Sequence, residues 1–171
     1  NSTTTGVLLD LQNGFYYRRG LLSDGASSYE LRWYAHRSLR SLYVMELTVR
    51  KASTQDVLVT LRNNIGAESE DITFAGVDMA DDAFVMACGA TNVAETEDSG
   101  THDVCVASTS LPPSLTVTDE ISGKTQTFIA AVRTSLEGDS KPAEVQADAA
   151  ADLSAGVMAA SAGTLARSHT D

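Results

Sequence analysis

At 171 residues, with 43% hydrophobic and 20% charged residues, the chain has the length of one domain and too much apolar content for a disordered tract. Twenty-three acidic against twelve basic residues leave a net charge of −11, which disfavours binding to phosphate backbones. Its longest uncharged apolar stretches fall short of the roughly 18–20 residues that a membrane-spanning helix needs.

Nine of the twelve basic residues are arginine, and only Lys51, Lys124 and Lys141 are lysine. An acidic, Asp-rich chain of this kind suits solubility in high salt, and a GC-rich genome gives the same arginine bias. A start at Asn1 rather than Met leads to the expectation that something upstream was removed, and Asn1-Ser2-Thr3 reads as a glycosylation sequon.

Thr5 to Phe15 reads as a short buried strand with a turn at Asn13-Gly14, followed by a Gly- and Ser-bearing loop from Gly20 to Ser28. From Ser28 onward, Leu31, Tyr34, Ala35, Leu39 and Leu42 recur near the helical period, which predicts a helix with Ser28 as its cap. Leu42–Arg50 and Asp56–Asn63 alternate apolar and polar residues around KASTQ and predict a hairpin with one wetter face. Asp71–Val77, Asp82–Ala87 and Asp103–Ser108 are further strand candidates, with an acidic loop from Glu95 to Asp103. Leu115–Thr118 and Thr125–Val132 flank Ser122-Gly123, a second hairpin signal. Beyond Gly138 the chain turns Ala-rich: Val145, Ala149, Leu153 and Val157 step by four, and Pro142 suits a first helical turn.

These elements predict an α+β fold, mainly β: an antiparallel sandwich or barrel-like sheet with one early helix and a C-terminal Ala-rich helix. The expected organisation is a β-rich body over 1–138, with a helix near 28–42, and a helical tail over 139–171 that packs on the body or on a neighbouring subunit. Cys88 and Cys105, the only cysteines, could bridge adjacent strands in an oxidising compartment or serve as small buried hydrophobes.

Two short segments, GVLLDLQNGF (Gly6–Phe15) and THDVCVAST (Thr101–Thr109), resemble the isochorismatase-like cysteine hydrolases, a family that includes nicotinamidases. The resemblance implies a parallel α/β sheet, with Asp10 as general base and Cys105 as nucleophile. Such chemistry needs a thiolate, a carboxylate to take its proton and a lysine to favour the anions. Lys51 is the only lysine between the two segments. The two hairpin signals point instead to antiparallel pairing.

Glu95, Glu97, Asp98 and Asp103 surround Gly100 as a weak calcium candidate without the EF-hand spacing. That acidic loop would serve a secreted binding module. His36, His102 and His169 show no metal-ligand spacing and read as solvated, so no cofactor or metal is expected.

Charge and aromatics are segregated. Seven of the ten aromatics and five of the nine arginines fall between Phe15 and Tyr43. Residues 56–120 hold thirteen acids and one base, Arg62. Aromatic residues and arginine are enriched at interfaces, so Tyr16, Tyr17, Arg18, Arg19, Arg32, Trp33, Tyr34, Arg37 and Arg40 are the candidate contact surface. Opposed patches of this kind allow head-to-tail docking of copies. The functional expectation is a non-enzymatic structural subunit of a larger assembly, such as a virion capsid or tail component or an extracellular filament. Its partners would be copies of itself and other assembly subunits. The expected location is the virion or the extracellular space, with the cytoplasm left open.

Overall fold

A computed structural model describes residues 2–52, 54–62, 69–81, 84–94, 100–118, 123–137 and 141–170, with backbone alone over 76–81. The strands are β1 (Thr3–Asp10), β2 (Phe15–Leu21), β3 (Ser28–Ala35), β4 (Leu42–Arg50), β5 (Val57–Thr60), β6 (Ile72–Asp81), β7 (Phe84–Thr91), β8 (Asp103–Thr109), β9 (Ser114–Val117) and β10 (Lys124–Thr134). After a 3-10 turn at Ser135–Glu137 come two helices, α1 (Pro142–Ser161) and α2 (Leu165–Thr170). Eight strands make one sheet in the order β1-β2-β3-β4-β10-β8-β7-β6, and β5 pairs with β9 in a second, small sheet. Every strand pairing is antiparallel. The fold is α+β and mainly β.

A central strand must bury both faces, and β4 shows how the alternation divides the core. Leu42 and Val44 face α1, in a cluster with Phe15, Tyr34, Ile129, Val145, Ala149 and Leu153. Leu47 and Val49 face the other way, in a cluster with Tyr29, Phe128, Leu115 and Val117. Helix α1 thus covers the middle of one face and the β5–β9 pair covers the middle of the other.

The helix starts at Pro142, where the missing N–H costs nothing. The Glu144 carboxylate accepts the Lys141 N–H at 3.0 Å, half of a capping box, and the Lys141 carbonyl accepts the Glu144 N–H at 2.9 Å. Its buried stripe is Val145, Ala149, Leu153 and Gly156. Gly156 rather than Val157 completes the stripe because a Cβ there would come within 2.7 Å of Leu42. Arg133 on β10 and Ser41 both donate to the Asp152 carboxylate and fix the helix to the sheet. Burial alone would raise the Asp152 pKa, but these two donors hold it below the usual carboxylate value.

Three expectations about elements and their pairing need correction, and β1, expected to be buried, is exposed along most of its length. The early helix near 28–42 is strand β3 followed by a turn. Its apolar residues serve opposite faces, Leu31 towards Leu47 and Tyr34 towards Val44, so a two-sided strand imitates a helical period. Residues 57–60 do not pair back on β4, which lies between β3 and β10. Likewise β9 pairs with β5 rather than folding onto β10, and Ser122 of the expected turn lies outside the described residues.

Replacing Leu153, which is 2% exposed, by alanine should cost about 2–5 kcal/mol of stability. Met158→Ala on the solvent side of the same helix should change it by less than about 0.5 kcal/mol. Urea unfolding of the two variants checks the orientation of α1.

Candidate functional site

The basic, aromatic segment forms β2, β3 and the turn after them, at one end of the large sheet. Strand alternation sorts its side chains between the two faces. On the helix side, Phe15 and Tyr34 are buried in edge-to-face contact with ring centroids 5.0 Å apart. Beside them Arg32 lies over the Phe15 ring at 4.8 Å and pairs with Glu46. Arg19 pairs with Glu30, and its guanidinium also approaches the Tyr17 ring. On the opposite face Tyr16 and Trp33 stack with ring centroids 4.3 Å apart, and Arg18 donates to the Thr4 hydroxyl at 2.9 Å.

The candidate contact surface is therefore only partly a surface. Tyr34 is 2% exposed and belongs to the core, where burial pushes its hydroxyl pKa up to about 12. Tyr17 packs against the same core, and Arg32 is tied to Glu46. Arg37 donates to the Gln12 carbonyl and clamps the β1–β2 turn. Arg18, Arg19, Arg37 and Arg40 are exposed, and Tyr16 and Trp33 are half-buried.

What composition did not single out is the edge beside them. Strand β1 is the outermost strand of the sheet and pairs only with β2 among the described residues. Val7, Leu8 and Leu9 are 57%, 54% and 58% exposed, and Leu11 in the following turn is 82% exposed. An exposed apolar edge of this length is the feature that folded proteins usually cover or charge. The opposite edge, β6, interrupts its register with β7 twice, whereas β1 has one irregularity at Thr4/Gly6 and runs regularly over Gly6–Asp10.

The turn that ends β1 is built on Asp10. Its carboxylate accepts the backbone N–H of Gln12 and Asn13 at 3.1 and 3.0 Å and the Asn13 side-chain amide at 2.8 Å. The Asn13 side chain is the largest of the influences that lower its pKa. Gly14, at φ 72°, closes the turn.

Two histidines lock the C-terminal helix onto this corner, and both are buried rather than solvated. The Arg37 backbone N–H donates to His169 Nδ1 at 3.2 Å, and His169 Nε2 meets the Asn13 carbonyl at 2.8 Å. A carbonyl only accepts and an N–H only donates, so Nε2 carries the proton and Nδ1 is bare. His36 repeats the pattern: Nδ1 accepts from Ser38 and Leu39, and Nε2 donates to the Leu165 carbonyl at 3.0 Å. Neutral rings satisfy every partner. Burial first holds the His169 pKa below its ordinary value, against the Asn13 carbonyl, which raises it, and with help from the Arg37 guanidinium.

The hydrolase constellation does not assemble. Cys105 is bonded to Cys88, directly opposite it across the β7–β8 pair, so no free thiol is present to act as nucleophile. Asp10 is a turn-forming carboxylate on β1, five strands from β8 and thus roughly 25 Å away. Lys51 is buried beyond the far end of β4, with Nζ 3.6 Å from Asp56. The sheet is antiparallel where that family's is parallel. Of the calcium candidates, Glu95, Glu97 and Asp98 lie outside the described residues, and Asp103 opens β8 with its N–H donated to Ser135. Among the described residues no group of three or more His, Cys, Asp or Glu could hold a metal ion, and no helix is long and apolar enough to cross a membrane.

No protein-family model and no curated protein sequence matches the chain. Among solved structures its fold is similar to part of a candidate kojibiose phosphorylase from the human microbiome, with TM-score 0.69 and 14% identity. The match covers 96% of this chain and 23% of that one, so the chain spans less than a quarter of that protein's length. Identity this low shows a shared fold alone.

Two outcomes test the corner and the bridge. A neutral His169 with a depressed pKa means that the unfolded chain takes up the proton more readily. Stability should therefore be complete above the ordinary histidine value of 6.5 and be lost as pH falls through the folded value. Melting temperature should drop on acidification from about pH 7 to 5, and His169→Gln should flatten that slope. Reducing the Cys88–Cys105 bond, which spans 17 residues, should cost roughly 3 kcal/mol in the chain-entropy account. Without reductant, iodoacetamide should label nothing on the native protein.

Proposed function

We propose that this chain is a non-enzymatic structural subunit of a larger assembly, of the kind that builds virion shells and tails or extracellular filaments. The observation that carries the reading is the bare apolar strand β1 at the arginine-rich end of the sheet. A lone soluble domain gains nothing from three adjacent half-exposed aliphatic residues on an open edge, whereas a subunit buries them against a neighbour. The large sheet gives a stiff body, with α1 and the β5–β9 pair bracing its two faces. The disulfide fits an oxidising location such as the extracellular space or a virion surface.

A second reading is favoured by the fold likeness: a supporting β-domain of a larger sugar phosphorylase, in which another part of the same enzyme covers β1. The two readings differ in what the isolated chain does. A subunit associates with copies of itself, whereas a domain taken from a longer enzyme stays monomeric and needs its remaining chain.

Light scattering across a concentration series should give a mass above 18.0 kDa for the wild type. Arg18→Glu with Arg19→Glu should give a folded monomer, because both side chains are exposed and lie beside the β1 edge. A wild type that stays at monomer mass favours the phosphorylase-domain reading.

A further inference from the structure

We infer that the neighbour that covers β1 is β1 of a second copy, paired antiparallel about a two-fold axis at Leu8. This rests on the assembly reading above and specifies its contact. Three features of β1 and β2 converge on it.

First, an exposed edge strand presents unpaired N–H and C=O groups, and another strand satisfies them with a regular ladder. Gly6–Asp10 runs regularly, and its apolar run Val7-Leu8-Leu9 is centred on Leu8.

Second, a two-fold axis perpendicular to the sheet lets only residues on the same face oppose one another. With the axis at Leu8, Leu8 meets Leu8 of the second copy, and Val7 meets the second copy's Leu9. All the apolar side chains of the edge then find apolar partners.

Third, the charges select this register over its neighbours. Gly6 lies beside Arg19 on β2, and Val7 lies beside Arg18. Centring on Leu8 sets Asp10 of one copy opposite Gly6 of the other. A Cβ at Gly6 would meet nothing within 4 Å, so the gap lets Arg19, whose Nε is held by Glu30, turn its remaining N–H groups to that carboxylate. The interaction occurs twice by symmetry. Arg18 of one copy then shares a row with Tyr16 of the other, across Val7 and Leu9, so no two arginines face each other along it. Moving the axis to Val7 would instead align the two Arg18 side chains in one row and lose the Asp10–Arg19 match.

The other edge is a poorer partner. Strand β6 breaks its register with β7 between Phe74 and Val77 and between Met79 and Asp81, and such bulges blunt an edge against strand addition.

The test uses the whole chain, in which both native cysteines are already bonded to each other. Leu8→Cys places a single thiol at the proposed axis. Mild oxidation should convert it to a covalent dimer of about twice the monomer mass, while Thr4→Cys, four residues from the axis, should not cross-link. Leu8→Lys, at a half-exposed site that folding does not need, should give a folded monomer by light scattering and circular dichroism. Arg19→Glu should weaken dimerisation about tenfold, and added salt should weaken the wild type. A wild-type dimer that survives Leu8→Lys and gives no Leu8→Cys cross-link overturns the β1 contact and leaves the assembly reading standing. Open-ended growth past the dimer does the same, and points to head-to-tail addition of β1 to β6. A wild type that is monomeric at every concentration overturns both.

Discussion

An eight-stranded sheet has two faces and two edges, and a 171-residue chain has limited material to cover them. The structure uses its longest helix on one face and a two-stranded flap on the other. Both sit over the centre, where β4 and β10 bury side chains in both directions. Coverage fails towards β1, and the arginine pairs and half-buried aromatics there are what an under-covered sheet end looks like. Arg32–Glu46 and Arg19–Glu30 lie side by side on the helix-side face beyond the reach of α1, closing it with ion pairs instead of apolar packing. The more exposed Arg19–Glu30 pair contributes little to stability, whereas Arg32–Glu46 is largely buried and removing either partner would cost more.

The C-terminal helix α2 is the counterweight at that end. It reaches back to the first hairpin through His169 and to the β3–β4 turn through His36, so contacts more than a hundred residues apart in sequence converge on one corner. Both rings work as neutral connectors with one donor and one acceptor. This ties the position of the β1–β2 turn, and hence the aim of the β1 edge, to the docking of α2.

The sequence made legible what depended on strict alternation or on local helix signals. Strand β4, the β6 and β7 runs, β8 and α1 follow from period-two patterns, from Pro142 and from the Ala-rich stripe. It concealed what depended on two-sided burial. In β3, Leu31 and Trp33 serve one face while Tyr34 serves the other, and the combined spacing imitates a helix. Pairing was concealed for a different reason: turn signals suggest which strands are near in sequence, but β5 and β9 meet across more than fifty residues, and no local cue marks that partner. The site was half legible. Clustered arginines and aromatics did locate the distinctive end of the molecule, but Tyr34 turns out to be core, and the exposed partner strand passed for a buried one because exposure is invisible in an apolar run such as Val7-Leu8-Leu9. The opposed cysteines were legible as a possible bridge, and their bonding removes the chemistry that their neighbouring motif suggested.

Net charge bears on how far such a body can assemble. Each copy carries −11, so association in general works against mutual repulsion. The sheet order separates the charge: β2 and β3 with their arginines stand at one end, and β6, β7 and β8, from the acid-rich part of the chain, stand at the other. Pairing two copies through β1 would bring the arginine-rich ends together, where the Asp10–Arg19 contacts have to offset local like-charge repulsion, and would set the far edges sixteen strands apart at roughly 4.8 Å each. Such a pair would present the bulged β6 edge at both extremities, which resists further strand addition. By its two-fold symmetry a self-paired β1 would close the assembly at two copies in the plane of the sheet, so a larger structure would have to grow through other faces or other subunits.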